Sequence, residues 1–131
     1  MIGLRQVPED YGAALMRAWG VPEWPENDVC TYWLWGECGI FAINANEEGG
    51  LDGHMAMRPG FRKYVREALA DFMAKFGSVP IRAPILPGHE GVRNCLRRFG
   101  FVESDPQQVE LITGQKVQMI FMRRPPDGRH C

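Results

Sequence analysis

The chain has 131 residues, a net charge of −1, 45% hydrophobic residues and 24% charged residues, the composition of one soluble globular domain. No stretch approaches the roughly 18 apolar residues of a membrane span. The start, Met1-Ile-Gly-Leu-Arg5, lacks the basic segment and apolar run of a signal peptide, so the expected location is the cytoplasm.

Met1 to Val7 reads as a first strand, and Pro8 suits the opening turn of a helix. Tyr11, Ala14, Leu15, Ala18 and Trp19 recur at helical spacing, with Gly20 as a stop. Residues 21–28 hold two prolines and no periodicity and read as a loop. Strands are expected at 29–35, 37–44 and 51–58, separated by Gly36 and by Asn46-Glu-Glu-Gly-Gly50. Phe61, Tyr64, Val65, Ala68, Leu69, Phe72, Met73 and Phe76 then predict an amphipathic helix over 61–76, closed by Gly77. Val79 to Leu86 reads as a strand, and Val92, Cys95, Leu96 and Phe99 as one face of a helix over 90–99. Two strands, 101–112 and 116–124, join near Thr113-Gly114, with Pro106 bending or interrupting the first. This order predicts an α+β, or mixed α/β, domain over 1–124 with an unstructured tail at 125–131.

Charge is uneven. Residues 1–56 carry two basic and nine acidic side chains, and residues 57–131 carry thirteen basic and seven acidic. The basic half suits a polyphosphate ligand, while the few aromatics among its arginines give no stacking platform for nucleic acid. Cys30, Cys38, Cys95 and Cys131 form no Cys-x-x-Cys pair, and reduced thiols are expected. His54, His89 and His130 are scattered without ligand spacing, so no metal is expected.

Two segments carry a family resemblance: Met55-Ala-Met-Arg-Pro-Gly-Phe-Arg-Lys-Tyr-Val-Arg-Glu-Ala-Leu69, and Gly91-Val-Arg-Asn-Cys-Leu-Arg-Arg-Phe-Gly-Phe101. A strand, a proline break, a long helix, a strand and a short helix ending in Gly-Phe resemble the coenzyme-binding half of the GNAT N-acetyltransferase superfamily. The resemblance covers nearly the whole chain, with the family's second N-terminal helix shortened or lost at residues 21–28. It implies a mostly antiparallel sheet whose fourth and fifth strands splay apart to admit acetyl-CoA. It also implies direct acetyl transfer to an amine, the acceptor being a small molecule or a protein. Two departures from the family pattern, Tyr64-Val-Arg-Glu-Ala68 in place of its glycine loop and Arg97-Arg-Phe-Gly-Phe101 at the second helix, look like small bacteriophage-encoded GNAT-like proteins. For these the implied alternative is a non-enzymatic role in virion assembly or host interaction, with a homodimer or an assembly partner and a virion-associated location.

The family's pyrophosphate loop reads Arg or Gln, two residues, Gly, one residue, then Gly or Ala. Pro59 and Arg62 fit, but Lys63, Tyr64, Val65, Arg66 and Glu67 occupy the rest. Without the glycine the backbone cannot approach phosphate as closely, and the cations Arg62, Lys63 and Arg66 are the candidate replacement. By the same resemblance Met55 and Met57 supply backbone donors to the thioester carbonyl. Leu96 lies where many members place a proton-donating tyrosine, and it cannot donate. His54 titrates in the range useful for taking a proton from the acceptor ammonium; His89 is the lesser candidate. Strand alternation puts His54 on the face opposite Met55 and Met57, with Asp52 and Ala56. Cys95 reads as core, and Trp24, Trp33 and Trp35 read as core or as the lining of an acceptor pocket.

Overall fold

The structure is a computed structural model that describes residues 3–25, 29–86, 89–111 and 114–126. In chain order it contains β1 (Leu4–Val7), α1 (Glu9–Trp19), β2 (Thr31–Trp35), β3 (Gly39–Ala45) and β4 (Leu51–Met57). A single 3-10 turn, Arg62–Tyr64, leads into α2 (Val65–Phe76), followed by β5 (Ile81–Ile85) and α3 (Glu90–Arg98). Short strands β6 (Val102–Glu103) and β7 (Gln107–Glu110) precede the long β8 (Lys116–Arg124).

The strands form one mixed sheet in the order β1-β2-β3-β4-β5-β8-β6, with β7 also on β8. Every described pairing is antiparallel except β4 with β5. Alternation along the strands sorts side chains into two cores. Trp35, Phe41, Ile43, Met57, Ile81, Ala83 and Met122 face α2 and α3, where they meet Leu69, Phe72 and Leu96. Tyr32, Leu34, Ile40, Ala42 and Ala56 face α1. Because β3 is covered on both sides, Gly39 to Ile43 is buried without interruption. Stacking of Phe41 on Phe72, with ring centroids 4.7 Å apart, ties α2 to the sheet centre.

Two expectations need correction, and two others gain detail. The buried face of α1 is Gly12, Ala13 and Met16, whereas Tyr11, Ala14 and Ala18 are exposed. The reason is close approach: a Cβ on Gly12 would lie 2.3 Å from the Tyr32 side chain, so the helix presents its smallest residues to the sheet. The helix expected from residue 61 begins as i→i−3 turns, with Phe61 N–H bonded to Arg58 O and Tyr64 N–H to Phe61 O. The regular helix starts at Val65, and Tyr64 is exposed outside the core. The strand expected over 101–112 is two pieces, interrupted around Pro106 as its position implied. There Ser104 Oγ accepts the Phe121 N–H at 3.1 Å and keeps the chain tied to β8. The three tryptophans separate: Trp33 and Trp35 lie on the α2 face, and Trp24 packs against the α1-side cluster. The expected tail, the Thr113 end of the last turn and the first two residues lie wholly or partly outside the described residues.

Candidate functional site

The parallel pairing of β4 with β5 consists of Leu51↔Ile81 and Asp52↔Arg82 and then stops. The antiparallel pairing of β4 with β3 continues without interruption from Ala45↔Leu51 to Gly39↔Met57. The strands therefore part on the β5 side alone. Which backbone groups face the gap follows from the hydrogen bonds at its two ends. Leu51 N–H donates to Pro80 O, toward β5, and Arg58 N–H donates to Cys38 O, toward β3. Alternation along the strand turns the backbone groups of Met55 and Met57 to the β5 side, beyond the last paired residue. Their side chains enter the α2-side core, with Met57 buried and Met55 half-buried.

The paired end is clamped by charge. Arg82 Nε and Nη2 donate to Asp52 Oδ1 at 2.7 Å and Oδ2 at 2.9 Å, a bidentate pair on the last register partners. Arg82 Nη1 also donates to Glu47 Oε1 at 2.7 Å, and Arg123 Nη2 to Glu48 Oε2 at 2.9 Å. Hydrogen bonds from Arg82 and Arg123 hold the Glu47 and Glu48 carboxyls below the usual carboxylate range. The same clamp raises Arg82, chiefly through Asp52. Both guanidinium groups also lie over the Phe121 ring. Beside this clamp runs a groove of about 380 Å³ whose walls include Pro80, Ile81, Arg124 and Pro125.

Beyond the open end of β4 the chain turns at Pro59-Gly60, where Gly60 has φ +92° and open space around a would-be Cβ. Arg62, Lys63 and Arg66 are exposed, and among the described residues none of them forms an ion pair. Lys63 Nζ lies 5.3 Å from the Tyr64 ring centroid. Among the described residues the Gly60, Arg62 and Lys63 amides donate to no backbone carbonyl. Val65, at the start of α2, is half-buried and packs on the α2-side core. This is a helix entrance with spare N–H donors and three uncompensated cations, a combination that suits a polyanion.

His54 stands on β4 just past the last paired residue, on the α1 face as alternation requires. It is half-buried, and its ring meets the edge of Trp24 with centroids 5.0 Å apart and planes at 64°. Burial lowers its pKa below 6.5, with the Asp52 charge opposing. His89 lies at the exposed start of α3 and makes no side-chain capping bond. Leu96 is 4% exposed and belongs to the core, so no proton donor stands at that position. Cys95 is half-buried against the same core. Among the described residues no cluster of three or more His, Cys, Asp or Glu is placed for a metal ion, and no helix is long and apolar enough to cross a membrane.

The structure thus brings His54, Met55 and Met57 to one stretch of β4, and Arg62, Lys63, Tyr64, Val65 and Arg66 to the turn that follows it. Sequence reasoning missed three participants. Asp52 and Arg82 are 30 residues apart and meet only through strand register; the one visible signal was opposite charge at the starts of two strands. Gly60 was visible as Pro-Gly.

A sheet with one parallel pair splayed at β4 and β5, and a helix entrance at the mouth of the gap, is the fold of the GNAT acetyltransferases. The chain is similar to the Salmonella typhimurium protein yncA, solved with its cofactor acetyl-CoA, at 13% identity over 99% of this chain and 96% of that one, with a TM-score of 0.65. It is similar to a GNAT superfamily phosphinothricin acetyltransferase from Sinorhizobium meliloti in complex with acetyl-CoA, at 13% identity over 95% and 88%, TM-score 0.68. It is also similar to the ribosomal-protein-S18-alanine N-acetyltransferase of Escherichia coli, at 12% identity over 96% and 94%, TM-score 0.69. No protein-family model and no curated protein matches the chain.

Proposed function

We propose that this protein is an acetyl-CoA-dependent N-acetyltransferase that transfers acetyl directly to an amine. The observation that carries the reading is the end of β4–β5 pairing at Asp52–Arg82, which leaves the Met55 and Met57 backbone facing a gap. Bound acetyl-CoA supplies an activated acyl group as a thioester. In this reading the Met55 and Met57 strand offers N–H donors to the thioester oxygen. The 62–66 segment, from Arg62 and Lys63 through Tyr64 and Val65 to Arg66, receives the pyrophosphate on spare amides and cationic side chains. His54, held uncharged by burial at neutral pH, takes the proton from the acceptor ammonium. Leu96 leaves the departing thiolate to be protonated by water.

A second reading has one feature in its favour. The phosphate loop lacks the family's glycines and Leu96 replaces the acid tyrosine, as expected if the fold serves a phage assembly or host-interaction role without turnover. Acetyl-CoA binding separates the two. A ligand at 100 times its dissociation constant stabilises by about 2.7 kcal/mol, which raises the melting temperature of a domain this size by roughly 8–13 °C. No shift at millimolar acetyl-CoA rejects the transferase reading. If binding is seen, the Arg62→Ala, Lys63→Ala double variant is expected to weaken it and flatten its salt dependence. Unchanged binding with lost stability would assign the cations to the fold.

A further inference from the structure

Three adjacent strands place Tyr32, Ala42 and His54 in one row on the α1 face, through the register Tyr32↔Ala42↔His54. The middle residue is small, and both ends of the row touch the same side chain. Trp24 Nε1 donates to Tyr32 Oη at 2.9 Å, and the Trp24 ring meets the His54 ring edge-on at 5.0 Å. Trp24 is itself fixed from two sides. Arg17 Nη1 donates to its carbonyl at 3.1 Å, and its amide donates to Val21 O at 2.9 Å. Tyr32 in turn is 1% exposed, pressed beneath Gly12 of α1. The imidazole nitrogens of His54 have no hydrogen-bond partner among the described residues, and of these it is Trp24 whose ring meets the imidazole edge-on.

We infer that Trp24 is a positioning residue, which bridges Tyr32 and His54 so that the imidazole is held in one orientation where β4 and β5 part. The inference rests on the reading of His54 as proton acceptor. An acceptor must lie within hydrogen-bond reach of the proton it takes, and a swinging ring satisfies that only part of the time. Trp24 also covers one side of the ring and so contributes to the burial that keeps it uncharged. Among the described residues, the charged and titratable groups around this row are Asp52 on β4, Glu9 and Arg17 on α1, Cys30 before β2, and Tyr32 itself. Ala42 and Asn44 on β3 add none. Of these groups Asp52 acts on His54 directly, and it opposes the effect of burial.

The test is an NMR titration of the His54 ring in the full chain, run beside the pH profile of acetylation. Wild-type His54 is expected to titrate below 6.5. In Trp24→Ala its titration should move up toward 6.5, and in Tyr32→Phe, which removes only the anchor, by less. Trp24→Phe keeps an aromatic edge and should restore most of the wild-type behaviour. Turnover in Trp24→Ala should fall roughly 10–100-fold with the KM for acetyl-CoA unchanged, and the acid limb of the profile should move up with the titration. An unchanged His54 titration in folded Trp24→Ala overturns the inference. Should that variant not fold, an unchanged His54 titration in Tyr32→Phe does the same. If His54→Gln retains full turnover while the titration shifts as expected, the reading of His54 as base fails, and the role given to Trp24 falls with it.

Discussion

The two ends of β4 and β5 are built on opposite principles. At the start of both strands every available means of attachment is used: two register pairs, the bidentate Asp52–Arg82 ion pair, and further bridges to Glu47 and from Arg123 to Glu48. A few residues on, pairing stops and the backbone of Met55 and Met57 faces a gap. An open strand edge is a liability unless the strand is held elsewhere. Here β4 is held along its whole length by β3, and β5 along its whole length by β8. The gap is therefore a fixed slot between two stiff walls, closed at one end by charge.

Breaking the closed end has the largest expected effect. In Arg82→Ala, Asp52 loses its bidentate partner while its side chain is only 14% exposed, leaving the Asn46 amide at 3.1 Å. Removing one partner of a well-buried pair costs up to 3–5 kcal/mol. With Glu47 exposed and screened, about 3 kcal/mol is expected, or roughly 10 °C in melting temperature. Acetyl-CoA affinity should fall as well, since the slot loses its hinge. A melting temperature within about 2 °C of wild type would show that the clamp does not hold the strands.

The ends also differ in how they respond to acid. His54 has its folded pKa depressed below 6.5, so its contribution is present above 6.5 and is lost as pH falls through the lowered value. The Glu47 and Glu48 carboxyls are depressed below 4.5, so theirs is present above 4.5 and is lost only under stronger acid. Urea midpoints measured from pH 8 to 3 should therefore fall in two stages, the open end first. His54→Gln should remove the stage below 6.5, and the Glu47→Gln, Glu48→Gln double variant should flatten the stage below 4.5. A single stage untouched by His54→Gln would break the comparison.

How far these features were legible in the sequence depends on the range of the interaction behind each. Strand and helix order were legible because alternation and 3.6-residue spacing are local, and Phe72 and Leu69 fell on the buried face as read. The face of α1 was legible only in part: Leu15 and Trp19 pack on the α1-side core as read, but apolar spacing also pointed to Tyr11, while the closest contact was decided by the Tyr32 ring beneath Gly12. The opening of α2 was misread because Tyr64 continues the helical pattern, yet Pro59-Gly60 forces a turn first. At the site, the orientation of His54 away from the Met55 and Met57 side chains followed from alternation alone. The clamp and the Trp24 bridge did not, since each joins residues from separate elements through register and loop path.

The smallest effect offers the sharpest comparison, because the two ends contain a matched pair of glycines. Gly49, in the turn before β4, has φ +83°, and Gly60, in the turn after it, has φ +92°. Neither would bring a Cβ within 4 Å of another group, so alanine at either site meets backbone strain and no clash. That strain costs roughly 1–2 kcal/mol, offset in part by the lower entropy of the unfolded chain. The net expectation is about 1 kcal/mol for each variant, roughly 3–5 °C in melting temperature. Ligand binding should separate them. Gly60 sets the direction in which the chain enters the Arg62–Tyr64 turn, and with it the placement of the Arg62 and Lys63 amides, which donate to no backbone carbonyl among the described residues. Gly49 serves only the closed end. Calorimetric titration with coenzyme A should therefore show weaker binding for Gly60→Ala and wild-type binding for Gly49→Ala, at equal loss of stability. Equal affinities would mean that the cationic side chains hold the phosphates without the backbone, and the turn would drop out of the proposed site.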